Sequence, residues 1–364
     1  MSPIIEYENL RRTNASLFGA YKAELSEFLD SGWFILGDGV VNFEQQYANY
    51  CQTEYCAGVA SGLDALTLAI DACDFPAGSE VIVPSNTYIA TIMAVVRNGL
   101  IPILVEPDIN TYNIDPSKIV TAITAKTKAI LVVHLYGKVC DLVQIQHLAD
   151  HYQLTIIEDV AQAQGAKHQS QVAGSFGIGC HSFYPTKNLG ALGDGGAVTC
   201  HDELFVEKIK QLRNYGSNKK YHNELLGYNS RLDELQARFL SKKLNILDEI
   251  NSHKRRLAQV YFEVLSDGFI KPQVDEDYDD VFHIFNIRHK KRDAIKDYLL
   301  GQGIKTEIHY PIPPHKQKAM QGLVKGDYPL SEEIHATTLS LPIAFFHTEE
   351  DVQRVAETLN GWLK

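Results

Sequence analysis

Seven short runs rich in apolar and β-branched residues, all between residues 55 and 200, restrict this chain more than any other feature of its sequence. They read YCAGVA, EVIVP, IPILVEP, AILVVHL, LTIIED, CHSFY and GAVTC. Between most of them lie stretches of helical length and period, such as DALTLAIDAC and LVQIQHLADHY. Strands that are apolar almost throughout must be covered on both faces, and intervening helices allow them to pair in parallel. The pattern predicts an α/β fold with a large, mainly parallel, seven-stranded sheet. Its ligands should sit at the C-terminal ends of the strands.

The pattern changes after about residue 231. RLDELQARFLSKKLNILDEINSHKRRLAQVYFEVL reads as one long helical stretch with a single interruption. A strand at FHIFNIR, a helix near KRDAIKDYLLGQG and a strand near IKTEIHYP follow. This predicts a large α/β domain with its connecting helix over residues 1–245 and a smaller C-terminal α/β domain over 246–364.

Composition narrows the function classes. With 34 Lys+Arg against 45 Asp+Glu, the formal net charge is -11, which argues against a nucleic-acid partner. The N-terminus MSPIIEYENLRR lacks the charged and apolar regions of a secretory signal, and AILVVHLYG is too short to span a bilayer. Six scattered cysteines without a C-x-x-C pair (51, 56, 73, 140, 180 and 200) read as reduced core residues of a cytoplasmic protein.

Three of the predicted strands end in chemistry. After YCAGVA, Ser61 to Asp64 form an S-x-x-D pattern that opens a helix, and Gly62 lets backbone approach a ligand. An ordinary capped helix would show the same residues. After LTII come Glu158 and Asp159, which strand alternation sends to opposite faces, so only one need enter a site. Gln162 follows one turn later; a helix-capping aspartate is the plainer reading here. The strand CHSFY delivers Ser182, Tyr184 and then Lys187 to the same edge. Glycines 190, 193, 195 and 196 follow, but they do not match G-x-G-x-x-G and lead into a strand. A lysine desolvated among them would favour its neutral, nucleophilic amine; a surface lysine beside a hairpin is the alternative.

Together the three requirements match pyridoxal phosphate, which needs an anion cradle, an acid facing its ring nitrogen and a lysine for its aldehyde. Tyr88, in PSNTYIAT, is placed to stack on the ring. His147 and His151 lie four apart on a predicted helix, but no third ligand or H-E-x-x-H accompanies them, so no metal site is expected. His134, in VVHLYG, either lines the site or is a satisfied packing residue.

The segments SGLDAL, VPSNTYIAT, VHLYGKVCDL, IIEDVAQAQGA, SFYPTKNLGALGDGGAV, RNYGSNKKYHNELLGYNSRLDELQA and IHYPIPPHKQ occur in this order between Phe34 and Pro342. In them the chain resembles the DegT/DnrJ/EryC1/StrS family of pyridoxal-phosphate-dependent sugar aminotransferases, which has the aspartate aminotransferase-like fold (fold type I). The resemblance implies that Lys187 binds the cofactor and shuttles protons. It pairs Asp159 with the ring nitrogen, brings Gln162 to the ring hydroxyl and stacks Tyr88. Gly62, Leu63 and Ser182 would hold the phosphate, and Asn229 would reach it from the neighbouring subunit of a homodimer with shared sites. Leu63 departs from the family's usual threonine, which removes a hydroxyl contact and leaves the backbone N–H.

Lysine at 187, where dehydrating relatives carry histidine, implies transamination. SFYPTKNLGALGDGGAV is closer to members acting at C3 of a ketosugar than to those acting at C4. The expected reaction moves the amino group of L-glutamate to the 3-keto carbon of a dTDP-linked 6-deoxyhexose. Tyr184, His309 and Tyr310 would face the sugar, with Tyr184 and His309 counted among the catalytic groups; Lys219 and Tyr221 would meet the nucleotide diphosphate. A C4 nucleotide-ketosugar aminotransferase, a cyclitol aminotransferase and a non-turning-over regulatory protein remain as alternatives.

Overall fold

The computed structural model describes residues 3–364. Its centre is a seven-stranded sheet: β1 (Tyr55–Val59), β2 (Glu80–Pro84), β3 (Ile101–Val105), β4 (Thr127–Val133), β5 (Thr155–Asp159), β6 (Ile178–Ser182) and β7 (Gly196–Cys200), in the order β1-β7-β6-β5-β4-β2-β3. Each strand arises from one of the seven predicted runs. β7 alone is antiparallel to its neighbours, so the other six direct their C-terminal ends to one edge.

The apolar runs are explained by burial on both faces. Along β4, Ala129, Leu131 and Val133 enter one core, packed under the helices Gly62–Ala72, Ile89–Arg97 and Glu203–Leu212. Ile130 and Val132 enter the other, under helices Pro116–Ala122 and Leu142–Tyr152. Each such leucine, isoleucine or valine removed from water contributes about 1.5–3 kcal/mol. A polar residue at any of these positions would have no partner on either side.

The long helical stretch breaks once, as predicted, into Glu234–Leu244 and Leu247–Val264. A separate core then joins Leu257 and Tyr261 to the antiparallel pair β8 (Phe285–Arg288) and β9 (Thr338–Leu341), helix Arg292–Gly301 and helix Glu349–Trp362. Ile5 packs into this C-terminal core, although a division at residue 245 puts it on the other side.

One local expectation needs correction. IKTEIHYP forms no regular strand: it makes single bridges, Ile304 with Ile5 and Glu307 with Ser340. Prolines at 311, 313 and 314 then prevent a ladder from continuing. The strand that does pair with β8 is β9, whose sequence TLSL is too short to carry a period. Among the described residues, no helix is long and apolar enough to cross a membrane.

Candidate active site

The C-terminal edge of the sheet opens on a cavity of ≈ 610 Å³ between the large sheet and the C-terminal unit. Gly62, Leu63, Tyr88, Asp159, Gln162, Ser182, Tyr184, Lys187, His309 and Tyr310 all line it. Residues separated by up to 248 positions in sequence therefore meet at one edge.

The anion cradle is built by close approach. Ser61 Oγ accepts from the Asp64 N–H at 3.1 Å and caps the helix. The reciprocal half of the predicted box is not formed, because the Asp64 carboxylate accepts from Ser230 Oγ at 2.7 Å. The N–H groups of Gly62 and Leu63 have no hydrogen-bond partner among the described residues. They lie at the positive end of the helix dipole. A side chain at Gly62 would put its Cβ 2.5 Å from Ser182 Cβ, so only glycine lets the helix start meet the end of β6. Gly196 likewise lets β7 cross the Ser61 carbonyl. Gly62→Ala is expected to weaken cofactor binding at least tenfold, read by titrating the cofactor-free chain while circular dichroism confirms its fold.

Strand alternation separates the two acidic residues as expected. Glu158 turns behind the sheet, where it accepts from the N–H groups of Gly174, Phe176 and Gly177, each at 2.9 Å. His134 Nε2 lies 3.0 Å from it. Burial pushes the Glu158 carboxyl up, but His134 and these backbone donors outweigh it and hold the group below its ordinary value. His134 Nδ1 accepts from the Cys140 N–H at 3.1 Å, so Nε2 carries the proton. Of its two readings, His134 is the satisfied packing residue.

Asp159 faces the cavity. Its carboxylate accepts from Thr91 Oγ1 at 2.8 Å and from the Ala161 N–H at 3.1 Å. Burial nevertheless raises its pKa, despite those bonds and the Lys187 charge. A carboxylate in that condition has room for a cation opposite it. Gln162 accepts from the Tyr136 N–H at 2.7 Å and donates to Tyr310 Oη at 2.9 Å. The Tyr88 and Tyr310 rings stand 5.1 Å apart, tilted by 36°.

Lys187 is half-buried by area because it borders open space, yet protein atoms surround it closely. Desolvation draws its amine down to about 8, against the opposing pull of Asp159. Its ammonium has no hydrogen-bond partner among the described residues. His283, absent from the sequence-based candidates, also lines the cavity. Burial, followed by the charges of Lys187 and Lys254, keeps it well below the ordinary histidine range. Thr91 was also missed, though its spacing of four from Thr87 at a helix start is a readable signal; the two hydroxyls lie 2.8 Å apart.

Three expected ligand residues are elsewhere. Lys219 and Tyr221 lie on an exposed hairpin, Ser217–Lys219 with His222–Asn223, and Tyr221 is 87% exposed. Asn229 is exposed beside Asn214, with which it forms a backbone bridge. No single chain brings these three to its own cavity. His147 and His151 lie on the exposed side of helix Leu142–Tyr152.

The residues present fit pyridoxal phosphate: unpaired N–H groups in a cradle that a Cβ would fill, a buried carboxylate short of a cation, and an amine without a partner. Together with the sheet order, this defines an α/β protein of the fold type I class, built around that cofactor. Comparison with known proteins narrows the class. The DegT/DnrJ/EryC1/StrS aminotransferase family matches over residues 19–360, and the chain belongs to that family. It is 52% identical over 361 residues to the dTDP-3-amino-3,6-dideoxy-alpha-D-galactopyranose transaminase of Aneurinibacillus thermoaerophilus, with 99% of each chain covered. S. venezuelae DesV, solved in complex with a ketimine intermediate, superposes with a TM-score of 0.97 at 40% identity, covering 100% of this chain and 99% of that one. NtdA from Bacillus subtilis, solved with bound cofactor PMP, superposes at 0.92 with 32% identity over 99% and 85% of the two chains. This chain is an aminotransferase that uses pyridoxal phosphate.

Proposed function

We propose that the chain transfers the amino group of L-glutamate to the 3-keto carbon of a dTDP-linked 6-deoxyhexose, giving a dTDP-3-amino-3,6-dideoxyhexose. The observation that carries this is a shared cavity. Lys187 and Asp159 line the same space as His309, Tyr310 and Tyr184. The relative named for a dTDP-3-amino-3,6-dideoxygalactose, 52% identical across nearly the whole chain, favours amination at C3 and a galacto-configured product.

The cofactor, when bound, supplies an electron sink for the carbon that loses its proton and carries nitrogen between the two substrates. Asp159 would keep the ring nitrogen charged by ion pairing in a site of low dielectric. Gly62 and Leu63 would hold the phosphate through their N–H groups, with Ser182 adding its hydroxyl. Tyr88 would cover the ring and Gln162 would donate to the ring hydroxyl. Lys187 would anchor the cofactor and, once displaced, move the proton on one face in both half-reactions. Tyr184, His309 and Tyr310 would orient the sugar.

The exposed positions of Lys219, Tyr221 and Asn229 support a homodimer, in which these residues complete a neighbouring chain's site at the nucleotide and the phosphate. All six cysteines are free, in keeping with a reducing, cytoplasmic setting. We divide the chain at residue 245, with the cofactor held by the N-terminal domain.

The test is the visible spectrum of the cofactor-loaded protein before and after L-glutamate, followed by acceptor sugars. The yellow band should fade as 2-oxoglutarate appears, and return with a dTDP-linked 3-keto-6-deoxyhexose. Return only with a 4-keto isomer or a ketocyclitol would replace the acceptor. A band indifferent to glutamate would favour another donor or a regulatory role.

A further inference from the structure

Tyr136 is buried just beyond the end of β4 and does not line the catalytic cavity, yet it bonds three separate segments around it. Its N–H donates to Gln162 Oε1, beyond β5, at 2.7 Å. Its carbonyl accepts from the Ile284 N–H, at the entry to β8, at 3.2 Å. Its phenol donates to the His309 carbonyl at 2.5 Å. The residue holds φ 60° and ψ 0°, in the left-handed region that a tyrosine seldom occupies. Such a backbone persists at a bulky residue only where its surroundings determine it. Here the three bonds do so, with the Tyr112 ring packed 5.8 Å away at 68°.

Atom type alone fixes the direction of the bonds to Gln162 and His309. A backbone N–H only donates, so the end of the Gln162 amide that faces Tyr136 is its oxygen; the flipped amide would set two donors head-on. Nε2 is thereby turned toward Tyr310 Oη, 2.9 Å away. The second Nε2 proton has no partner among the described residues, and Gln162 lines the cavity. A carbonyl oxygen only accepts, so the phenol is the donor to His309, and burial raises its pKa and keeps the proton on it. The next carbonyl, that of Tyr310, likewise accepts from His335 Nδ1 at 2.7 Å. The backbone that presents His309 and Tyr310 is therefore anchored at two successive carbonyls, while Ser340 Oγ lies 2.9 Å from the His309 ring at Nδ1.

We infer that Tyr136 is a positioning residue that joins the two halves of the site. Its backbone N–H fixes the Gln162 amide with the donor end toward the cofactor, and its phenol fixes the stretch that presents His309 and Tyr310 to the acceptor sugar. Tyr136 itself touches neither. The second half rests on the proposed reading in taking His309 and Tyr310 as the sugar's contacts; the first half does not.

Tyr136→Phe keeps the backbone N–H and the ring packing and removes only the bond to His309. Its kcat/KM for the dTDP-linked ketosugar should fall about fivefold, the effect of one ordinary hydrogen bond, while bleaching by L-glutamate stays within twofold of the parent. A merely loosened protein would lose both half-reactions alike; that result, or no loss in either, would overturn the phenol's role. The backbone half is read in the cofactor-free chain by hydrogen–deuterium exchange, resolved to the Tyr136 N–H by mass spectrometry. Gln162→Ala should speed that exchange at least tenfold, on the order of the loss of one protecting bond, whereas Gln162→Glu, which keeps an accepting oxygen, should stay within about twofold. Equal exchange in Gln162→Ala and the parent would sink the lock on Gln162 whichever acceptor the enzyme takes. A parent protein that bleaches with glutamate but ignores the dTDP-linked ketosugar would remove that acceptor alone, and the Tyr136→Phe comparison then runs on the ketosugar that it does aminate.

Discussion

With Lys187→Ala, the yellow band is lost and release of 2-oxoglutarate from L-glutamate falls by roughly 100- to 10,000-fold, the range expected when a positioned proton carrier is removed. The purified variant, mixed with cofactor and L-glutamate, is followed by absorption and by chemical assay of the ketoacid. Retention of the band would refute the assignment, because no other lysine lines the cavity. The parent protein adds a pH dependence. Desolvation holds the Lys187 amine at about 8 in the cofactor-free chain, and only the neutral amine attacks an aldehyde. The rate of cofactor capture should therefore rise with pH up to about 8 and then level off. Stability depends on the same group in the matching sense. A lysine whose folded pKa is depressed binds fewer protons in the folded state between about 8 and the ordinary value of 10.5. Its contribution thus makes the cofactor-free chain more stable as pH rises through that window.

Asp159→Asn separates stability from function. Transamination should fall on the order of 1,000-fold, as when a preorganised charge is removed from a low-dielectric site. The cofactor-free variant should nevertheless melt higher than the parent at pH 7. Burial raises the folded pKa of Asp159 above its ordinary 3.8. The folded state therefore holds the proton more tightly than the unfolded chain, and this group's contribution declines as pH rises through that window. At neutral pH the uncompensated carboxylate costs stability until a cation sits opposite it. Asparagine removes the charge and still offers groups for the Ala161 N–H and the Thr91–Thr87 hydroxyl pair. Differential scanning calorimetry with and without cofactor measures both sides: the parent should gain more from cofactor than Asp159→Asn does. An Asp159→Asn chain that melts lower without cofactor would remove the idea that the carboxylate waits for a cation.

The opposite fates of Glu158 and Asp159 show how much was legible early. Adjacent residues at the end of an apolar strand must point to opposite faces, so one face had to supply four partners for a buried charge. That the partners would be His134 and the loop at Gly174–Gly177 had no local signal. Lys187 was legible through the company it keeps, at a strand end before a glycine-rich return. The strand β9 was not: TLSL has too few residues to show a period, and it becomes a strand only by pairing with the distant β8, Leu341 opposite Phe285. His283 was hidden for the same reason, since nothing in VFHIFN distinguishes a cavity wall from a core position.

The sequence by itself determined the seven-stranded α/β sheet, the edge at which its chemistry lies and the identity of the cofactor. Those features are written in local periods and in residue types that few other tasks require. The tertiary structure alone decided which of two carboxylates faces the cavity empty-handed, which histidine is packing and which is poised, and that Lys219, Tyr221 and Asn229 lie outside their own chain's cavity. Such outcomes depend on contacts between segments far apart in the chain. Burial and the pairing of donors with acceptors fix them only once the whole fold has closed.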